Sequence, residues 1–305
     1  MGTKITTHDK LDKVVENLIA KVEEAGSWVK PFKTAIASGM PINGTSGKEY
    51  RGINVFTLWA TAMEKGYTSN KWFTFNQLKA KKQTVIKGEK STQIFFFKPL
   101  QVIDKDADDG SKKTIFLLKS YNVFNLEQTD IEVIETETKE DEVTENEVIK
   151  NAKEFFDNLD YLEVTQHPQP HYNPSTDTIG IPSINDFVSS EEYYSTLGHE
   201  YIHSTGIESR LNRDGFKSNA KTDYAFEELV AEIGSIFVMA RLGLNAEPIQ
   251  DNSAAYLKGW LTALKNDKKM LWRAASQAHK AFEFLDELQY EAIEDTEAQV
   301  TLEVA

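Results

Sequence analysis

The stretch Tyr193-Tyr194-Ser195-Thr196-Leu197-Gly198-His199-Glu200-Tyr201-Ile202-His203-Ser204-Thr205-Gly206 decides how this chain is read. Tyr193, Tyr194, Leu197 and Ile202 supply an apolar side for a helix predicted over 191–204, and Gly206 supplies its stop. Positions i and i+4 of a helix lie one turn apart on one face. His199 and His203 can therefore bring two imidazole nitrogens to one metal ion, with Glu200 leaning toward the open coordination position. The competing reading is a surface helix that happens to carry two histidines. The chain contains no cysteine, so any metal must sit on His, Asp or Glu, and disulfides, iron–sulfur clusters and thiol catalysis are excluded.

A catalytic zinc takes three protein ligands and a water, so a third ligand must come from another element. In the segment Tyr224-Ala225-Phe226-Glu227-Glu228-Leu229-Val230-Ala231-Glu232, the apolar positions Leu229, Ile233, Ile236, Phe237 and Ala240 face a core. Tyr224, Glu228 and Glu232 fall on an adjacent stripe at i, i+4 and i+8. Carboxylates on a partly buried stripe are paired or metal-bound. Glu228 is therefore assigned as the third ligand of a Zn2+ ion, and Glu232 as acceptor of the other N–H of one metal-bound imidazole. An ordinary solvated helix face, the exchange of Glu228 with Glu232, and Glu227 as ligand are the alternatives these residues leave. With zinc bound, Glu200 becomes the catalytic base that takes a proton from water and passes it to a leaving amine, the chemistry of peptide hydrolysis. Tyr224, one turn before Glu228, is either an oxyanion-stabilising phenol or a core tyrosine, the commoner role.

Outward from this segment, 305 residues suffice for two domains, and 40% apolar with 27% charged residues is the mixture of a folded globular chain. No apolar run approaches a membrane span of about 20 residues, and Met1 to Lys10 is polar where a secretory signal would be apolar. No membrane contact and a cytoplasmic address are expected.

Charge divides the chain. Residues 1–100 carry 16 Lys+Arg against 8 Asp+Glu, leaving 18 against 40 for the rest, so a net charge of −14 hides a basic N-terminal part. Between Glu127 and Glu147 stand ten acidic residues and one lysine, Lys139, the composition of a solvated linker. The expected organisation is a nucleic-acid-binding domain over 1–127, an acidic linker over 128–147, a metal-binding domain over 148–290 and an acidic, frayed tail over 291–305. Helices are predicted over 9–25, 55–65, 76–82, 147–158, 225–241, 253–266 and 269–289. Strands are predicted over 93–97, 100–103, 114–118, 120–124, 162–165 and 178–181. The fold class is α+β, a small α+β domain followed by a mainly helical one with a small sheet.

Binding single-stranded DNA without strong sequence preference needs cations along a groove and aromatic faces for the bases. Between residues 51 and 98, nine Lys and Arg residues face only Glu64 and Glu89, interleaved with aromatics. Tyr50 and Trp72, adjoining Arg51 and Lys71, are the stacking candidates, with Lys87 and Lys90 as further cations. An aromatic in a small domain is more often core than platform. Asn54 is expected to cap the helix that follows it.

The two helical segments resemble the gluzincin arrangement of thermolysin-like peptidases, with Glu232 where that family carries an Asp. Nearly the whole chain resembles the ArdC-type antirestriction proteins of plasmids and phages. The C-terminal likeness rests on Tyr194, Thr205-Gly206, Arg210-Leu211-Asn212-Arg213, the stretch Tyr224 to Gly234, and Tyr256 with Trp260. The N-terminal likeness rests on Pro41-Ile42-Asn43, Tyr50-Arg51-Gly52-Ile53-Asn54, Trp72, Thr74, Gln77 and Lys87-Gly88-Glu89-Lys90. The resemblance implies a single-stranded-DNA-binding domain joined to a zincin-like metallopeptidase domain, serving antirestriction. The alternatives are an active metallopeptidase that cleaves a host defence protein and uses DNA only for localisation, and a toxin-like peptidase whose basic domain binds protein or RNA.

Overall fold

The computed structural model describes residues 6–27, 29–103, 112–131, 145–214, 221–244 and 261–303. Helix α1 (Thr7–Ala25) begins where the Thr6 hydroxyl and the Asp9 carboxylate cap each other's backbone N–H, and stops at Gly26 in the left-handed conformation. Its buried residues Leu11, Val15, Leu18, Ile19 and Val22 recur at helical spacing, as the sequence predicts. After the short α2 (Lys33–Ala37) and β1 (Ile42–Asn43) comes α3 (Ile53–Lys65), two residues earlier than expected. Gly52, not Asn54, is its N-cap. The Asn54 carboxamide instead bonds both the N–H and the C=O of Phe95 at 2.8 Å each, satisfying backbone groups on an edge strand.

The N-terminal sheet runs β1-β2-β4-β3, with β2 at Lys71–Thr74, β3 at Thr92–Ile103 and β4 at Lys112–Asn125; α4 (Phe75–Ala80) follows β2 directly. Four short strand runs were expected where two long strands stand. Their antiparallel ladder is continuous from Thr92↔Val123 to Ile103↔Lys112. Pro99 does not interrupt it because β3 is the outer strand, where a missing N–H costs no ladder bond.

The C-terminal part starts with α5 (Glu145–Asp157), followed by a three-stranded sheet in the order β5-β7-β6, formed by Glu163–Gln166, Thr178–Ile181 and His171–Asn173. Then come α6 (Ser190–Ser204), α7 (Lys221–Leu242), helical residues 261–266 (α8) and α9 (Lys269–Glu303). The frayed tail expected from 291 onward is helical to Glu303, because Lys269 to Glu303 contains no glycine or proline to end the helix. Residues 132–144 of the expected linker, residues 253–260 of one expected helix, and Tyr256 and Trp260 lie outside the described residues. Among described residues no helix is long and apolar enough to cross a membrane.

One hydrophobic cluster draws on both sides of the acidic stretch. On α3, Phe56 and Trp59 meet Phe237 of α7 at ring separations of 5.6 and 6.3 Å, and Phe97 of β3 stacks on Trp272 of α9 at 4.6 Å. A smaller cluster gathers Tyr50, Leu58, Ala62, Trp72, Ile94 and Val123.

Candidate metal centre

Close approach of α6 and α7 builds the site. A Cβ on Gly234 would lie 2.8 Å from Ile202 Cδ1, so glycine there lets α7 settle against α6 and brings its acidic residues to the two histidines. Leu229, Ile233, Ile236, Phe237 and Ala240 are all buried, which fixes the rotation of α7.

His199 Nε2 and His203 Nε2 stand 3.1 Å apart, and the two Glu228 oxygens lie 3.6 Å from the first and 3.5 Å from the second. Among described residues these three form a group whose ligand atoms all fall within 4.8 Å of one another. Bonds of about 2.0–2.2 Å to a tetrahedral zinc place ligand atoms roughly 3.3–3.6 Å apart, so the donor spacing fits such an ion. Glu200 is buried on α6 next to His199 in the chain.

Electrostatics prepare the pocket for a cation. Burial disfavours a charge on His199, but the hydrogen bond with Glu228 and the charges of Glu200, Glu228 and Glu232 outweigh it and push its pKa up to about 9. Burial would likewise raise Glu228; the His199 hydrogen bond, the charges of His203 and His199, and a hydrogen bond from Tyr224 hold it down at about 2. Burial raises Glu232, with the Glu228 charge adding to it against the pull of His199. Tyr224 is half-exposed rather than a core residue.

Each outer imidazole nitrogen faces a different carboxylate. Glu232 Oε2 lies 3.8 Å from His199 Nδ1, beyond hydrogen-bond length, and that nitrogen is buried without a hydrogen-bond partner. Glu227 Oε1 is nearer to His203 Nδ1, at 3.4 Å. Glu227 is in turn gripped by Arg213, whose Nε donates to its two oxygens at 3.1 and 2.9 Å and whose Nη2 also pairs with it. Against the cost of burial, the hydrogen bonds and charges of His203 and Arg213 keep Glu227 below the usual carboxylate range. Arg213 further donates to the Ile202 carbonyl at 2.7 Å and to Thr205 Oγ1 at 2.5 Å, closing the end of α6. Arg210 binds the Ser204 carbonyl at 2.8 Å and Asp177 with both Nη atoms, tying that same end to the small sheet. From sequence alone Glu227 stands only as an alternative ligand and Arg213 only as a point of likeness. An adjacent Glu-Glu pair on a helix whose neighbour carries two histidines is the signal that points to it.

The expected nucleic-acid residues are distributed differently. Tyr50 and Trp72 are 6% and 1% exposed, within the smaller cluster. Arg51 is exposed and pairs with Glu283 of α9. Lys71, Lys87 and Lys90 are exposed, the first on β2 and the others in the turn before β3.

A zincin-like metallopeptidase family matches residues 150–277, and the N-terminal domain of anti-restriction factor ArdC matches residues 8–124. The metal-free crystal structure of the antirestriction ArdC protein from plasmid R388 is 37% identical, with a TM-score of 0.73 over 93% of this chain and 98% of that one. Its Mn(II)-bound structure, also 37% identical, has a TM-score of 0.69 over 91% and 97%. An uncharacterized protein of Sinorhizobium fredii, y4eC, is 32% identical over 298 residues, 95% of each chain. The DNA primase TraC of Escherichia coli is 32% identical over 314 residues, which is 96% of this chain and 28% of that protein.

Proposed function

This chain belongs to the ArdC family of antirestriction proteins, and from that premise we propose that it protects DNA of a mobile element in the host cytoplasm. Residues 1–127 bind the single strand, and residues 148–290 hold a zinc ion in a metallopeptidase-type site. The convergence of His199, His203 and Glu228 carries the second half of this reading. The basic balance of residues 1–100 supports the first.

A zinc ion in that site would supply a Lewis acid and would lower the pKa of a water there. His199, His203 and Glu228 would hold it. Glu227 and Arg213 keep the His203 ring oriented. The Glu200 carboxylate takes a proton at the attacking oxygen and delivers it to the leaving amine.

Elemental analysis and single-strand binding of the purified chain, before and after chelation, test both halves. One zinc per chain and binding that survives chelation are expected. A metal-free native protein would remove the site, and binding lost with the metal would move the DNA to it. The second reading is an active peptidase that cleaves a host defence protein, favoured by the burial of Glu200 beside the ligands. Cleavage of a host restriction subunit by the wild type and not by Glu200→Gln would establish it.

A further inference from the structure

The two faces of the β3/β4 ribbon are unlike. In the antiparallel ladder Ile94 pairs with Tyr121, Phe96 with Lys119 and Lys98 with Leu117. Directly paired residues share a face and alternate residues return to it, so Phe96, Lys98 and Leu100 of β3 stand on one side with Leu117, Lys119 and Tyr121 of β4. The other side is spoken for: Phe95 and Leu118 are buried in the main core and Phe97 stacks on Trp272.

The first side is exposed and large. Phe96 and Tyr121 each remain 46% exposed, with ring centroids 5.4 Å apart in an edge-to-face arrangement, and Leu100 and Leu117 flank them at 43% and 45%. Lys98 and Lys119 stand exposed among them. The two strands, residues 92–103 and 112–125, contain four lysines and no Asp or Glu, while the connection 104–111 carries four Asp and one Lys. Aromatic faces between exposed cations complement a polyanion whose bases are unstacked. A protein partner would also cover apolar surface; the exposed lysines interleaved with the rings on this face are what favour the polyanion.

We propose that this face is the seat of single-stranded DNA, with bases stacked on Phe96 and Tyr121 and phosphates met by Lys98 and Lys119. The assignment rests on the single-strand reading above and says where on the molecule the strand lies. It leaves the buried Trp72 out of the contact. That ring belongs to the closed root of the same side, packed with Ile94 and Val123, and the side opens only from Phe96 and Tyr121 outward.

The test uses the full chain and a fluorescein-labelled oligothymidylate of about 16 nucleotides, followed by anisotropy across a salt series. Phe96→Ala and Tyr121→Ala should each weaken binding at least about fivefold with the salt slope unchanged, and Phe96→Trp should retain it. Lys98→Ala and Lys119→Ala should each flatten the slope by about 0.7 log units per log unit of salt. These rings and ammonium groups are at the surface, so circular dichroism should stay that of the wild type. If the wild type binds and all four alanine variants bind equally, the single-strand reading stands and this face is not its site. If the wild type itself does not bind at low salt, both fail. A wild-type dimer that these substitutions turn into a monomer would assign the face to a second copy of the chain and overturn the proposal.

Discussion

Two buried histidines, His199 and His279, show how one side chain acquires opposite properties within a single fold. Relative exposures of 8% and 4% are nearly the same, and each has an Nδ1 atom buried without a hydrogen-bond partner. Burial lowers the proton affinity of both. Around His199 stand Glu200, Glu228 and Glu232, and the net result is a pKa near 9. His279 lies against the rings of Phe237 and Phe282 at 5.5 and 5.7 Å, within the field of Arg51 and Arg241, and its pKa falls to about 3. The sign of the neighbours, not depth, separates a cation site from a packed aromatic ring. A metal suits the first pocket for the reason a proton does, and the second repels both.

Removing a ligand is the strongest way to break this contrast. His199→Ala, His203→Ala and Glu228→Ala should each lose most bound metal and destabilise the C-terminal part, since ligation free energy is in part folding free energy. Glu200→Gln should keep the metal. Elemental analysis showing wild-type metal in the first three, or none in the fourth with its fold intact, would contradict the assignment. Next in size is Arg213→Ala, which leaves the buried Glu227 carboxylate without its cation, at a cost of about 3–5 kcal/mol. Urea unfolding in the presence of a chelator measures this apart from metal binding. A combined Arg213→Met and Glu227→Leu change should recover most of it, and a loss no smaller than that of Arg213→Ala would place the role of Arg213 in closing the end of α6.

The sequence made the histidine half of the centre legible because HExxH converts helical periodicity directly into geometry. His199 and His203 meet as that spacing requires, and Glu228 of α7 joins them. Glu227 and Arg213 were harder to read because their partnership crosses from the turn after α6 to α7, and local periodicity says nothing of such a pair. The same limit applies to Trp72. Its neighbour Lys71 suggests a surface, while the packing with Ile94 and Val123 that buries it comes from strands β3 and β4. Helices α1, α6 and α7 carried their own signal in apolar spacing. The ladder between β3 and β4 did not, since whether Pro99 ends a strand depends on which edge of the sheet it occupies.

A smaller effect sharpens the carboxylate half of the comparison. Glu232→Ala should weaken metal affinity by no more than about 10-fold, and less than Glu228→Ala does, because the Glu232 carboxylate stands 3.8 Å from the far nitrogen of the His199 ring, beyond hydrogen-bond length, and away from the metal position. Competition with a chromogenic chelator reads both. The reverse ranking would shift the ligand by one turn of α7, and Glu227→Ala as the worst of the three would make that residue the ligand.

The smallest expected effect concerns His279, and it is visible only as a slope. Glu283 Oε1 lies 3.9 Å from its Nε2, but that carboxylate is paired with Arg51, while Arg241 is held by Glu49 at 3.1 Å and by Asp286 at 2.6 Å. The two guanidiniums therefore set the field, in keeping with the depressed pKa. An unfolded chain takes up a proton on this residue near pH 6.5, whereas the folded chain does not until about pH 3. Within that window the unfolded state holds one more proton, so stability falls with falling pH by about 1.4 kcal/mol per unit, and above pH 6.5 the contribution is complete. Other groups titrate over the same range, so the quantity to measure is the difference between the wild type and His279→Gln in urea unfolding from pH 6 down to pH 4. That difference should change with pH at close to this slope, and His279→Phe should give the same slope even if its absolute stability differs. A flat difference would mean that Glu283 leaves Arg51 and takes up the imidazolium, which would make the second histidine a weaker copy of the first and dissolve the contrast between them.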